Sequence, residues 1–150
     1  MNKCNSTSYF NTNKISVTFP PSNVHTLNTF SNVLAKGDSG ATHHYISPKH
    51  EHMLQSTIPS AATPVLLPNN NVLNTSTTGM LPLSNNLSAT SQAAHVIPEL
   101  HSSQVSLGQI ADDGCSIVLN KHKLSVFKNF KCILTDTRNT TDGLWDIPIH

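Results

Sequence analysis

The residues with the clearest chemical potential form one short turn, Asp38-Ser39-Gly40-Ala41-Thr42. An acidic residue followed by a small hydroxyl residue and a glycine suits a tight turn that presents a carboxylate. The glycine lets another backbone or a ligand approach closely. The hydroxyl and the neighbouring N–H groups can hydrogen-bond the carboxylate and fix its orientation. Such a turn fits an acid–base site, and it also fits an ordinary surface turn.

Four histidines follow this turn closely, and imidazole is a good ligand for zinc and nickel. They are His43, His44, His50 and His52. No cysteine joins them, and their spacing is neither that of a His-Glu-x-x-His helix nor that of a zinc finger. The pattern favours a solvated loop, and the sequence therefore predicts no metal site and no cofactor.

The overall charge argues against strong binding to nucleic acid. The chain has 150 residues, a formal net charge of +1 and only 11% charged residues. It contains a single arginine, whereas a firm grip on phosphates needs clustered Lys and Arg. Lysines gather near the C-terminus at Lys121, Lys123, Lys128 and Lys131. They fit a solvated sheet edge better than an RNA contact.

Membrane and secretory classes also find no support in the pattern. No apolar run approaches the ~18 residues of a membrane span. The N-terminal residues 1–13 lack the apolar core of a secretory signal. We therefore expect a cytoplasmic, intracellular protein without a membrane partner.

The elements that must position the turn are short strands. From Val33 onward, short apolar runs recur, each bounded by Pro, Asn, Gly or Asp, which predicts an all-β fold. Residues 106–114 break this rhythm and predict one or two helical turns ended by a glycine. A C-terminal hairpin is expected to turn at Lys128-Asn129. The polar residues 1–31 indicate a flexible arm, and 32–150 the folded domain with this hairpin as an extension.

The order of the motifs resembles the retroviral-type aspartic proteases, and more specifically the protease-like region of copia-type retrotransposon polyproteins. That region carries Asp-Ser-Gly-Ala-Thr with His close behind, a Val-Leu-x-x-Pro-Glu-Leu-like segment, and then Leu-Leu-Ser-Val-Gly-Gln-Leu. It closes with Asp-x-Gly-Cys and Gly-Leu-Trp. The matching segments here are residues 38–42, 95–100, 104–110, 113–115 and 143–145. The resemblance covers about residues 34–148.

The resemblance implies a small closed β-barrel of the acid-protease kind with one short helix. It also implies a homodimer, because this chain has one Asp-Ser-Gly and the mechanism needs two aspartates that share a proton. Asp38 would be the catalytic acid and a polyprotein or peptide the substrate. The supporting residues implied for the catalytic turn are Ser39, Gly40, Ala41, Thr42 and Gly108.

A flap hairpin is the remaining part that the resemblance implies. The apolar runs 65–67 and 72–73 flank Pro68, Asn69, Asn70 and Asn71, and Asn tolerates the left-handed conformations of tight turns. This segment is the expected flap. Residues 77–79 are a second possibility.

Two functions are consistent with these features. The first is a homodimeric aspartic endopeptidase that processes a polyprotein. The second is a catalytically inactive β-barrel fragment of a decayed retrotransposon polyprotein, which would act as a binding or structural module. Lys36 and Gly37, where the family has apolar residues before the catalytic Asp, favour the second function. The Asp38 turn and the Gly108 segment favour the first.

Overall fold

The computed structural model describes residues 33–60 and 64–150. Strands account for 47% of it, and its α-helix is the six-residue α1 (Leu107–Asp112). The predicted predominantly β architecture is therefore confirmed. The predicted arm, residues 1–31, lies outside the described residues. No helix in the described part is long and apolar enough to cross a membrane.

Within the described ranges, twelve strands and two short 3₁₀ helices accompany α1. In chain order the strands are β1 (Val33–Asp38), β2 (His44–Ile46), β3 (Gln55–Pro59), β4 (Pro64–Leu66), β5 (Val72–Asn74), β6 (Thr77–Met80), β7 (Ala93–Val96), β8 (Gln104–Ser106), β9 (Ser116–Leu119), β10 (Lys123–Lys128), β11 (Lys131–Thr137) and β12 (Asp146–Ile149). The 3₁₀ helices span Pro48–Met53 and Thr90–Gln92.

The largest sheet has seven strands in the order β12-β1-β8-β2-β7-β6-β3. β1 runs parallel to β8 and β2 parallel to β7, whereas β12 runs antiparallel to β1. In the described residues this sheet ends at β12 on one side and at β3 on the other, so its ladder does not close into a ring. A second sheet has the order β11-β10-β9, and β4 and β5 form a third, two-stranded sheet in the part of the chain that the structure describes.

One hydrophobic core joins the two larger sheets to α1. Ala35 of β1, Ile147 of β12 and Ile110 of α1 are fully buried in it, together with Leu124 and Val126 of β10. The core-facing residues of β1 and β12 include the paired Ala35 and Ile147, which lie opposite each other in the register. The end of β1 is thereby fixed by packing on both sides, and β1 is the strand that carries Asp38.

The C-terminal hairpin turns one residue later than predicted. Lys128 pairs with Lys131, so the two-residue turn is Asn129-Phe130 and not Lys128-Asn129. Both turn residues have positive φ, 50° and 62°, which is the type I′ geometry that matches the twist of the flanking strands. Asn tolerates a positive φ and is therefore favoured at the first position of such a turn. This preference explains why the turn begins at Asn129 and why Lys128 remains in β10. The predicted helix does end as expected, with Gly114 at φ +77°.

Candidate active site

Asp38 is the last residue of β1 and opens the Asp38 turn, residues 38–42. Its register partner on the parallel strand β8 is Ser106. The Gly40 N–H donates a hydrogen bond of 2.7 Å to Asp38 Oδ1, so the turn orients its own carboxylate. A Cβ at Gly40 would lie 3.3 Å from that oxygen. The side chain of Asp38 is half-buried, and Ser39 is exposed.

The Asp38 turn is tied to the start of α1 through the buried Ser106. Its hydroxyl donates to the carbonyl oxygen of Ala41 at 2.6 Å and accepts from the Gln109 N–H at 3.0 Å, capping the helix. A Cβ at Gly108 would lie 3.6 Å from Ser106 Oγ and 4.0 Å from the Ala41 oxygen, which is ordinary contact. The structure thus brings the Gly108 segment against the Asp38 turn, and it leaves room for a side chain at Gly108.

His44 of β2 lies under the same turn and is completely buried. Its Nδ1 accepts the Ser106 N–H at 2.9 Å, and its Nε2 lies 2.7 Å from the Ser91 carbonyl oxygen. A backbone N–H can only donate, so Nδ1 carries no proton and Nε2 donates to Ser91. Burial lowers the pKa of the His44 imidazole to about 4.

Gln109 completes this buried arrangement. Its Oε1 accepts the His44 N–H at 3.1 Å, and its Nε2 donates to the carbonyl oxygens of Thr90 and Ala93 at 3.1 and 2.8 Å. We call His44, Ser106 and Gln109 the floor network. Sequence reasoning did not identify these three residues as parts of the site. The Ser106 cap before a short helix was a readable signal for one of them.

A cavity of about 670 Å³ lies above the Asp38 turn. The roof hairpin, residues 64–74, covers it, with β4 and β5 as its strands. The lining residues are Asp38, Gly40, Ala41, Thr42, Tyr45, Val65, Leu66, Leu67, Pro68, Asn70, Leu73, Ile97, Leu100 and Gln104. The predicted flap segment therefore contributes Pro68 and Asn70 to the same cavity as the predicted catalytic residue.

The tip of the roof hairpin satisfies its own backbone. The Leu67 N–H donates to Asn71 O at 2.8 Å, and the Asn70 N–H donates to Leu67 O at 2.9 Å. Asn69 Oδ1 accepts the Asn71 N–H at 3.1 Å, and Asn70 has a φ of 62°. The Asn69 side chain and the left-handed Asn70 thus stabilise the tip, as expected for asparagines in a tight turn.

The second predicted flap position, residues 77–79, is wrong. These residues belong to β6, which lies between β7 and β3 in the large sheet. Gly79 is buried there, and a Cβ on it would meet the Leu54 Cβ at 3.0 Å and the Gln55 oxygen at 3.1 Å. A strand paired on both sides cannot serve as a mobile cover.

The histidine cluster divides between the interior and the surface. His43 is exposed beside His95 and Tyr45, with ring centroids 5.4 and 6.3 Å away, and His50 Nδ1 lies 2.8 Å from Ser103 Oγ. His44 alone of the four is buried. In the described residues, no three His, Cys, Asp or Glu side chains form a group that could hold a metal ion.

Lys36 does not leave a free charge beside the site. Its ammonium lies 2.6 Å from Asp142 and 2.5 Å from Asp146, which is buried. Desolvation acts to lower the pKa of Lys36, but the hydrogen bonds to Asp142 and Asp146 raise it above its ordinary value. The same contact with Lys36 holds the pKa of Asp142 below its usual range. The charge of Lys36, the residue that favoured the inactive alternative, is therefore paired locally.

Core side chains also surround Gly37, the other residue that differs from the apolar pattern of the family. A Cβ there would lie 3.2 Å from Ile147 Cδ1, 3.3 Å from Leu124 Cδ1 and 3.4 Å from Leu107 Cδ2. The space that an apolar side chain would take is thus filled by three core residues.

The cavity presents one carboxylate to whatever enters it. Among its described lining residues, Asp38 is the only acidic one, and most of the others are apolar. One carboxylate on a rigid turn can act as a general base or acid, but it cannot supply both roles at once. No protein-family model, curated protein or solved structure matches the chain.

Proposed function

We propose that the chain is a retropepsin-like aspartic endopeptidase of the copia retrotransposon type, which cuts a polyprotein as a homodimer inside the cell. The observation that carries this proposal is the placement of Asp38 on the floor of a cavity that a β-hairpin roofs. The proposal includes a fold of the acid-protease kind, in which the sheets form a small closed barrel.

The chemistry requires two carboxylates in one site. Two aspartates about 3 Å apart cannot both ionise, so they share one proton. The ionised member takes a proton from water as the water oxygen attacks the peptide carbonyl carbon. The protonated member gives its proton to the carbonyl oxygen. The tetrahedral intermediate then collapses: the aspartate that took the water proton gives it to the amide nitrogen, the other aspartate takes a hydroxyl proton from the intermediate, and the C–N bond breaks.

A second copy of the chain must supply the second carboxylate. One described copy brings Asp38 alone to its cavity. A two-fold axis beside Asp38 would place the same residue of the partner opposite it, since a two-fold interface joins identical patches. The cavity then becomes one half of the substrate site.

The lining of the cavity suits an extended peptide with apolar side chains. Val65, Leu73, Ile97 and Leu100 face it, and burying apolar substrate surface against them supplies binding free energy of about 25 cal/mol per Å². Tyr45 and Gln104 provide polar groups among these residues. A peptide backbone needs such partners when it leaves water.

The test is cleavage of a mixed peptide library between pH 4 and 7, with sizing chromatography alongside. Activity is expected to peak in mildly acidic solution, where the pair is singly protonated, and to rise more than linearly with protein concentration. Asp38→Asn should abolish cleavage with the fold intact. Asp112→Asn, which changes an exposed carboxylate on α1, is the matched control and should leave cleavage unchanged.

A folded, strictly monomeric chain that cleaves nothing at any of these pH values would contradict the enzyme. That outcome would favour the inactive β domain of a decayed polyprotein, acting as a binding or structural module.

A further inference from the structure

Both ring nitrogens of His44 are used, and they bind different segments. Nδ1 accepts the Ser106 N–H at 2.9 Å, and Nε2 donates to the Ser91 oxygen at 2.7 Å. Ser106 in turn donates its hydroxyl to Ala41 of the Asp38 turn at 2.6 Å. A continuous path of short hydrogen bonds therefore joins a buried imidazole to the turn that carries Asp38.

Protonation of His44 would break this path at one defined bond. The proton has to enter at Nδ1, because Nε2 already carries one. The Ser106 N–H would then face another N–H donor across 2.9 Å and lose its acceptor. A buried donor without a partner is costly, so Ser106 would move and its bond to the Ala41 carbonyl with it.

Among the described residues, a small number of titratable groups lie near His44 and influence its protonation. His43, directly before β2, and His95 on β7 repel a proton on His44. At the C-cap of α1, the Asp113 carboxylate accepts a hydrogen bond of 3.1 Å from the hydroxyl of Ser91, whose carbonyl oxygen is the partner of His44. That carboxylate is already paired with Lys128 at 2.7 Å. β8 and the 3₁₀ helix Thr90–Gln92 present no titratable side chain.

We propose that His44 is a positioning residue of the candidate active site, whose neutral imidazole holds the Asp38 turn through Ser106 and whose protonation releases that turn. The effect of this release on cleavage rests on the proposed function. The release itself does not, because it concerns hydrogen bonds within one chain.

Two matched substitutions separate the two bonds of His44, and neither new side chain titrates. His44→Asn places an amide oxygen near the position of Nδ1, so the Ser106 N–H keeps an acceptor. His44→Gln reaches the position of Nε2 and keeps a donor for the Ser91 oxygen, but it leaves the Ser106 N–H unpaired. Amide hydrogen exchange at Ser106 should rise about tenfold or more in His44→Gln relative to His44→Asn.

The decisive measurement is an NMR pH titration of the full chain carrying Asp38→Asn, which removes the titration of that carboxylate from the turn. The His44 ring, the Ser106 amide and the Ala41 amide are expected to shift together, with one midpoint well below that of an exposed histidine. Adding His44→Asn should abolish the shifts at Ser106 and Ala41.

Three results would overturn the proposal. Ala41 could stay unchanged while His44 takes up its proton, the whole chain could unfold at that pH, or His44→Asn and His44→Gln could exchange equally fast at Ser106. A chain with no cleavage activity that shows the coupled shifts would refute the proposed function and leave the positioning role of His44 intact.

Discussion

Beneath the Asp38 turn, His44 and Ser106 are buried and hydrogen-bonded. The roof hairpin instead exposes apolar side chains, and among the residues that the structure describes its strands pair only with each other. His44 is 0% exposed and holds two hydrogen bonds through its ring. Leu66 and Val72, which are register partners in the roof hairpin, are 68% and 55% exposed. Buried, fully paired polar networks specify one conformation, while isolated two-stranded hairpins are marginal in water.

This difference suits a site that needs a fixed carboxylate under a cover that can open. The roof hairpin is attached near its base, where Ser60 N–H donates to Ser76 O at 3.0 Å. The floor is attached through β1, β2, β8 and α1 together. Substitutions on the floor should therefore cost much more stability than substitutions on the roof.

The largest loss is expected for His44→Ala. It removes a buried ring, leaves a cavity, and leaves the Ser106 N–H and the Ser91 oxygen without partners. These effects together should lower the free energy of unfolding by about 4 kcal/mol. Urea denaturation with His43→Ala as the matched control measures this, since His43 is the exposed neighbour. Equal losses for the two variants would show that the floor is no more constrained than the surface.

The second largest loss of folding stability is expected when the pH is lowered. The pKa of His44 is about 4 in the folded chain and about 6.5 when unfolded, so the unfolded state binds this proton first as the pH falls. The stabilisation is complete above pH 6.5 and is lost on the way down to pH 4, by about 3 kcal/mol. Burial also lowers the pKa of His50 and His95, which acts in the same direction.

Denaturation curves between pH 7.5 and 4.5 measure this loss. His44→Asn should flatten the dependence, because the residues that remain contribute less. A wild-type chain whose stability is constant over this interval would contradict the buried neutral imidazole. Below this interval a further loss is expected, because Lys128 holds the pKa of Asp113 well below its usual range.

Local signals in the sequence predicted several parts of the cavity. Asparagine-rich residues between two apolar runs predicted the roof hairpin, and a glycine after a short apolar segment predicted the end of α1. Each of these depends on residues that are close in the chain.

The parts that could not be predicted depend on distant residues. His43 and His44 are adjacent and chemically identical, and only the pairing of β2 with β7 and β8 decides which one is buried. Lys36 looked unfavourable because its partners, Asp142 and Asp146, lie more than 100 residues later. Whether the sheet closes also depends on its outermost strands, β12 and β3, which no local pattern brings together.

Alanine substitutions at two glycines beside the Asp38 turn should differ in their effect on cleavage, by less than the changes above. In Gly40→Ala, the new Cβ would lie 3.3 Å from Asp38 Oδ1 and press on the carboxylate, so cleavage should fall about tenfold. Gly108→Ala is the matched control, because its Cβ would make only ordinary contacts. It should stabilise α1 by up to about 1 kcal/mol. Equal activity in the two variants would show that the position of the Asp38 carboxylate does not limit the reaction.

The smallest effect on stability is expected at Leu66 of the roof hairpin, a cavity-lining residue that remains largely exposed. Leu66→Ser removes an apolar side chain that is 68% exposed, so the free energy of unfolding should change by less than about 0.5 kcal/mol. Local opening of the hairpin should still become easier, because the Leu66–Val72 pair is the cross-strand contact nearest its tip. Native-state hydrogen exchange measures this at the amides of β4 and β5, with the Ser106 amide as the internal reference. Hairpin amides as strongly protected as that of Ser106 would mean that the roof opens only when the floor unfolds, and the contrast between floor and roof would disappear.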